Sequence, residues 1–266
     1  MELTDERRHL RDAVRGLLAQ QQRGDPGDDR ALWRRLCGEI GVAGLAIPPR
    51  YGGAGAGPVE THIVMEELGR GLTCSPLLGS AVLAAPGSAS PGSASPGSAA
   101  LARARDLACI ALSAEQVGAA QRALELTVAY TKVRVQFGRP IGSFQALQHR
   151  LAGLHVLGES ARSLSYAAAE AAAEGAAGLG LHAAAAKVYC SEALARVAGE
   201  MIQMHGAIGI TWEHDAHRYL KRAHGAGQLF GRPSEHAARV AAAVIDGYFP
   251  GAELPGAAPR VVGIRR

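Results

Sequence analysis

A chain of 266 residues with 48% hydrophobic content can bury the core of one large domain or two small ones, although only 5% of its residues are aromatic. The net charge of +4 comes from acids and bases mixed throughout, with no lysine or arginine block, so a nucleic-acid groove is excluded as the main function. The cysteines, Cys37, Cys74, Cys109 and Cys190, lie far apart without a Cys-x-x-Cys pair, which argues against a zinc site or a disulfide framework.

The opening MELTDERRHLRDAV is charged and lacks the apolar segment of a signal peptide. No apolar run is long enough to span a membrane, so a cytoplasmic protein is expected. Thr4 is placed to cap a helix whose Asp5 and Glu6 suit its positive end, with Leu10, Val14, Leu17 and Leu18 on one face. A polar break over Gln20 to Asp28 leads to a second short helix marked by Trp33, Leu36 and Ile40 and ended by Gly41. Gly44 to Pro49 is expected to be extended by its prolines. The following Tyr51-Gly52-Gly53-Ala54-Gly55 lacks a preceding buried strand and the glycine spacing of a phosphate cradle, so it reads as a connector. Pro58 suits a first helical position, and Val59, Ile63 and Val64 face inward along a third helix that Gly69 and Gly71 end.

At Pro76 the composition changes to PLLGSAVLAAPGSASPGSASPGSAA, which repeats PGSAS. Proline breaks helices and glycine and serine bury little, so a weakly ordered linker is expected over 76–106. It separates a helical domain over 1–75 from a second helical unit over 107–249, with a loose Pro/Gly/Ala-rich tail over 250–266. The second unit is alanine-rich, which favours helices with close backbones. Helices are expected from Leu107 to Arg134, from Ser143 to about Glu174, from His182 to about His205, and after Pro233 with Val240, Val244 and Ile245; Gly175, Gly178 and Gly180 separate the second from the third. Strand patterning is nearly absent. The fold class is therefore all-α, an N-terminal helical domain followed by an antiparallel bundle.

The most informative stretch is TKVRVQFGRPIGSFQALQHRL, residues 131–151. A helix ends near Arg134, the chain turns through Phe137-Gly138-Arg139-Pro140, and Ser143 stands where a helix cap belongs. This turn offers two guanidiniums and an exposed ring, with Gly138 allowing close backbone approach. Such a set suits a phosphate-bearing ligand with a stackable ring, and equally a surface turn with solvated arginines.

RVQFGRPIGSFQALQHRLA closely resembles the signature of the acyl-CoA dehydrogenase family. QMHGAIGITWEHDAHRYLKRA is similar to that family's second C-terminal signature, and GLAIPPRYGGAGAG followed by VMEELGRGL resembles its N-terminal helical domain. The matches occur in the family's order and cover most of the chain. The resemblance implies an FAD flavoprotein that removes a proton from the α-carbon and a hydride from the β-carbon of an acyl-CoA thioester. It also implies cofactor contacts: Arg134, Gln136, Phe137 and Gly138 on the FAD diphosphate and adenine, Phe144 and Gln145 on the same half, and Gln203, His205 and Gly206 from the other side of a dimer. The family's middle β-domain, which covers the flavin ring, has no counterpart here.

The family's catalytic carboxylate is missing as well. Phe230 occupies its usual position in Gln228-Leu229-Phe230-Gly231-Arg232, and Ala108 occupies the alternative one, so no catalytic residue is assigned. Glu115 lies further along the same helix and reads as a buried or interface carboxylate. His205, His214, Asp215 and His217 are read as interface groups and not as metal ligands. The TWEHDAHRYLKRA and Phe230-Gly231-Arg232-Pro233 strings resemble members from actinobacterial steroid or lipid degradation, which pair as unlike subunits. Partners expected on this resemblance are a second copy or an unlike dehydrogenase subunit, an acyl-CoA substrate and an electron acceptor. The other reading is a non-catalytic helical subunit that only completes a neighbour's site or interface.

Overall fold

The computed structural model describes residues 3–21, 29–73, 76–78 and 96–246. Cys74, most of the polar break, the 79–95 part of the expected linker and the 250–266 tail lie outside these residues. The chain is helical, as composition required: α1 Asp5–Gln21, α2 Asp29–Arg35, α3 Pro58–Arg70, α4 Pro96–Val133, α5 Gln145–Ala173, α6 Leu179–His205, α7 Ala216–Gln228 and α8 Pro233–Ile245. The stretch left between α3 and α4 is far shorter than a domain, so no β-domain stands between the two helical parts.

Local signals account for most boundaries. Arg7 N donates to Thr4 Oγ1 at 3.4 Å ahead of α1. α2 continues as a wider turn over Leu36–Ile40 and stops at Gly41, whose φ of 77° suits glycine. Pro58 is the first residue of α3, and Glu60 accepts from Gly57 N at 2.8 Å.

Several expectations need correction. Gly44 to Pro49 is not one extended run: turns over Val42–Gly44 and Pro49–Tyr51 flank an extended Pro48, and the glycine-rich connector folds back so that Ala54 N donates to Gly44 O at 3.0 Å. Helix α4 begins at Pro96, well before Leu107, because Pro96 starts a run whose alanines and leucines carry the helix on. Ser143 is not a cap. Its hydroxyl donates to Pro140 O at 2.7 Å in a short turn, and Phe144 precedes α5 without a side-chain cap. α6 starts at Leu179, so Gly180 lies inside a helix where its missing side chain leaves room for Arg239 and Asp106. On α8, Val244 and Ile245 face outward, with Ile245 78% exposed.

Gly69 is also inside its helix, and the reason is packing. A Cβ on Gly69 would stand 2.0 Å from Glu115 O of α4, and one on Gly118 of α4 would stand 1.8 Å from Glu66 O of α3. Two helices thus cross backbone on backbone. On its other faces α4 packs against α5, α6 and α7. Small residues make those contacts close: Ala119, Ala120 and Ala123 share a buried cluster with Leu194, Val197, Ala198 and Met201 of α6.

Polar groups fix the register around this crossing. His62 Nε2 lies 2.8 Å from Ser165 Oγ, which lies 2.6 Å from Ser113 Oγ, so one buried chain joins α3, α5 and α4. Tyr166 donates to Glu66 at 2.7 Å while Arg162 reaches the same carboxylate. Lys187, fully buried on α6, donates to the carbonyls of Ala226 and Gly227 at 2.8 and 3.2 Å and so holds the end of α7. From α7, Tyr219 and Arg222 donate to Arg70 O and Thr73 O, both at 3.1 Å, fastening the end of α3. Arg222 also lies 3.2 Å from the buried Glu115. Burial pushes the Glu115 carboxyl up and Arg222 opposes that rise.

Gly118→Ala is expected to force the helices apart and cost about 3 kcal/mol, read by denaturant unfolding. Arg222→Ala leaves Glu115 buried without its cation and should cost about 3–5 kcal/mol, whereas Glu115→Gln should cost less. Burial, with Arg162 nearby, pushes His62 down to about 3, so the fold holds it neutral. The unfolded chain binds a proton there at ordinary histidine pKa, so this contribution is full above about 6.5 and falls as pH drops toward 3. Stability measured across that window should lose up to about 1.4 kcal/mol per pH unit from this group, a slope that His62→Gln removes.

Candidate functional site: the corner between α4 and α5

Helix α4 ends at Val133, and the chain makes a miniature hairpin that alternation in sequence was too short to announce. β1, Val135–Gln136, pairs antiparallel with β2, Arg139–Pro140, in the register Val135 with Pro140 and Gln136 with Arg139. The two-residue loop is Phe137-Gly138, with φ of 54° and 76°. Both values are positive, as the favoured tight hairpin turn requires. Gly138 is there for that φ; a Cβ on it would meet nothing, so the space beside it is open. Phe137 accepts the same conformation at a steric cost, since side chains rarely adopt it.

This geometry presents Phe137 almost completely to solvent, 91% exposed. Phe144 stands edge-on to it at 6.1 Å, and the Arg139 guanidinium covers the Phe144 face at 4.0 Å. One ring is therefore open and the other is occupied by its own chain. Arg134 is exposed and makes no ion pair among the described residues, while Ile141 N donates to its carbonyl at 2.8 Å and closes the loop. Gln136 Nε2 donates to Val135 O at 2.8 Å, and Gln145 is exposed at the start of α5.

The C-terminal end of α6 reaches the same end of the bundle. Tyr130, one turn before Arg134, stacks on His205 with ring centroids 4.2 Å apart, and His205 lies 4.2 Å from the His214 ring. His205 donates from Nδ1 to Met201 O at 2.7 Å, and its buried Nε2 has no partner. Burial pushes His205 down, the Met201 contact opposes this and His214 adds to it, so the ring is neutral with an acceptor to offer. Gly206 adopts φ 64° and ψ −141°, a glycine conformation, and Gln203 is exposed beside it. Tyr130 was missed from sequence, although an aromatic residue one helical turn ahead of the arginine was its signal.

The two carboxylate positions hold none. Ala108 is fully buried in α4. Phe230 packs against the cluster that contains Cys109 and Tyr166, its carbonyl accepts from His236 Nε2 at 2.9 Å, and it too has a positive φ of 59°. Cys109 lies 4.0 Å from that ring, and burial pushes its thiol up to about 11, which leaves it inert. Glu115 is spent on Arg222. His214 Nδ1 accepts from Ala216 N at 3.1 Å, and His217 sits edge-on to Trp212 at 4.6 Å, so both rings serve packing. Among the described residues no helix is long and apolar enough to cross a membrane.

The model of the acyl-CoA dehydrogenase C-terminal domain matches residues 98–245, and that of the N-terminal domain matches residues 4–93. Acyl-CoA dehydrogenase IpdE2 of Mycobacterium tuberculosis is 38% identical over 307 aligned positions, covering 87% of this chain and 95% of that protein. That alignment is longer than this chain's 266 residues, so the relative carries residues that this chain does not. Among solved structures, the Tcur3481-Tcur3483 steroid ACAD superposes with a TM-score of 0.80 at 24% identity, covering 92% of this chain and 99% of that one. The ChsE4-ChsE5 complex from Mycobacterium tuberculosis also gives 0.80, at 22% identity, with 92% and 98% covered. The chain belongs to the acyl-CoA dehydrogenase family, and it keeps that family's two helical parts without a middle β-domain.

Proposed function

We propose that this chain is one subunit of a heteromeric acyl-CoA dehydrogenase, holding the nucleotide end of FAD for a site whose catalytic carboxylate belongs to an unlike partner. The observation that carries this reading is the corner between α4 and α5. Phe137 is held in a costly conformation with its ring 91% exposed, beside an arginine that has no acid to pair with. Nothing among the described residues offsets those costs, whereas an adenine ring and a diphosphate would.

On this reading Arg134 binds the diphosphate, Phe137 stacks on the adenine, and Gly138 leaves its side open for approach. Phe144 acts by holding Arg139 in place, and Gln136 and Gln145 offer amides to polar edges. Gln203, His205 and Gly206 line the neighbouring helix end, where the neutral His205 Nε2 accepts a hydrogen bond. FAD, when bound, takes a hydride from the β-carbon of the acyl thioester. The matching α-proton needs a carboxylate within hydrogen-bond reach, and with Ala108 and Phe230 in the two positions this chain supplies none. The paired names of the two similar structures favour an unlike partner over a second copy. The setting would be lipid or steroid degradation, with a separate electron acceptor. The alternative, a degenerate subunit that only packs an interface, is favoured by the same filled positions.

Co-expression with a dehydrogenase-like chain that carries a carboxylate in either position separates the two. The pair should purify yellow and oxidise acyl-CoA, while this chain alone should do neither. Arg134→Ala in the pair should weaken flavin binding roughly tenfold to a hundredfold, the value of a lost charge-assisted hydrogen bond. A pair that keeps its full flavin content with both Arg134→Ala and Phe137→Ala would leave only the interface reading.

A further inference from the structure

Helix α1 carries Arg7, Arg11 and Arg15 at four-residue spacing, so the three stand on one face. α3 answers the outer two. Arg7 donates to Glu60 at 2.8 Å, and Arg15 donates to both oxygens of Glu67 at 2.9 and 2.6 Å. Between those glutamates α3 turns Ile63 and Val64 into the core, and its remaining carboxylate there, Glu66, is taken by Arg162 and Tyr166, so α3 offers the middle arginine no free carboxylate. Among the described residues Arg11 pairs only with its neighbour Asp12, Nε to Oδ1 at 3.6 Å, too long for a hydrogen bond, so its buried Nε has no acceptor there. A buried donor left unpaired costs about 1–3 kcal/mol.

Arg11 and Arg15 line one side of an open cavity of about 650 Å³ between α1, α3, α4 and α5. Leu124 and Val128 of α4 and Leu151 of α5 make part of its wall apolar. Its lining includes five lysines or arginines against three glutamates, and two of those glutamates are already engaged: Glu66 by Arg162 and Tyr166, Glu125 by Arg70 and Arg122. The third, Glu159, is exposed. The volume falls within the range of small-molecule sites, and none of the residues assigned to the hairpin corner lines it.

We propose that this cavity binds an amphipathic organic anion, its carboxylate on Arg11 and its apolar body against Leu124, Val128 and Leu151. The headgroup supplies the acceptor that the ladder of arginines leaves out at its middle rung. The apolar wall gives the tail a surface to bury, so neither a small anion nor an apolar cation satisfies the site.

Calorimetry on the full chain tests this with three probes: decanoate, decyltrimethylammonium with the same tail and opposite charge, and acetate as the headgroup alone. Decanoate should bind once per chain, and the other two should not bind. Arg11→Met gives up only the long contact to the exposed Asp12, so it should leave the melting temperature nearly unchanged while weakening decanoate at least about tenfold. Val128→Trp fills the cavity and should abolish binding with Arg11 intact, and Arg134→Ala at the corner should leave it unaltered. Absence of decanoate binding, equal binding of the cation, or undiminished binding by Arg11→Met would each overturn the proposal, and the last stands whether or not Val128→Trp folds.

Discussion

Everything in this molecule is registered from the crossing of α3 and α4, where Gly69 and Gly118 each let the other helix bring its backbone into contact. A backbone contact has no side chain to adjust, so neither helix can slide or rotate without a collision. Near Gly69 stand Glu66, Glu67 and Arg70, and the crossing buries the two glutamates and half-buries the arginine. Their charges must then be met where they fall: Arg162 from α5 on Glu66, Arg15 from α1 on Glu67, and Glu125 from α4 on Arg70. Such pairs contribute little net stability once desolvation is counted, but each is strongly penalised when its partner is absent, so together they specify one arrangement of four helices.

The same rigidity matters at the far end of α4. A helix of 38 residues anchored at its centre delivers its C-terminus to a defined place, and the hairpin that follows is only two residues a side. Tyr130 on His205 locks that end to α6. The corner therefore holds Phe137 outward without help from a ligand. Preorganisation of this kind lowers the ordering cost of binding, at the expense of a ring left in water when nothing is bound.

The two places where the family resemblance puts a base are apolar here, one of them fully buried and the other half-buried. Phe230 joins an apolar cluster, Ala108 is sealed in α4, and His236 spends its donor on the Phe230 carbonyl. The chain keeps the family's helical scaffold with no carboxylate at either place, which is the arrangement the proposed unequal pair requires.

From its order of residues alone the chain declared its helices, the family signatures and the absence of a carboxylate at both positions. Alanine content, proline starts such as Pro58 and Pro233, and the RVQFGRP string are local facts, and local facts survive any packing. What the tertiary structure decided is everything that depends on two segments meeting. Gly69 reads as a helix end until Glu115 O is found against it, and Ser143 reads as a cap until its hydroxyl is seen on Pro140. Glu115 reads as a buried or interface carboxylate, and only the fold supplies its partner, Arg222, from more than a hundred residues away. Arg11 is indistinguishable in sequence from Arg7 and Arg15, and only the neighbouring helix, with apolar residues opposite the middle rung, leaves its Nε without an acceptor.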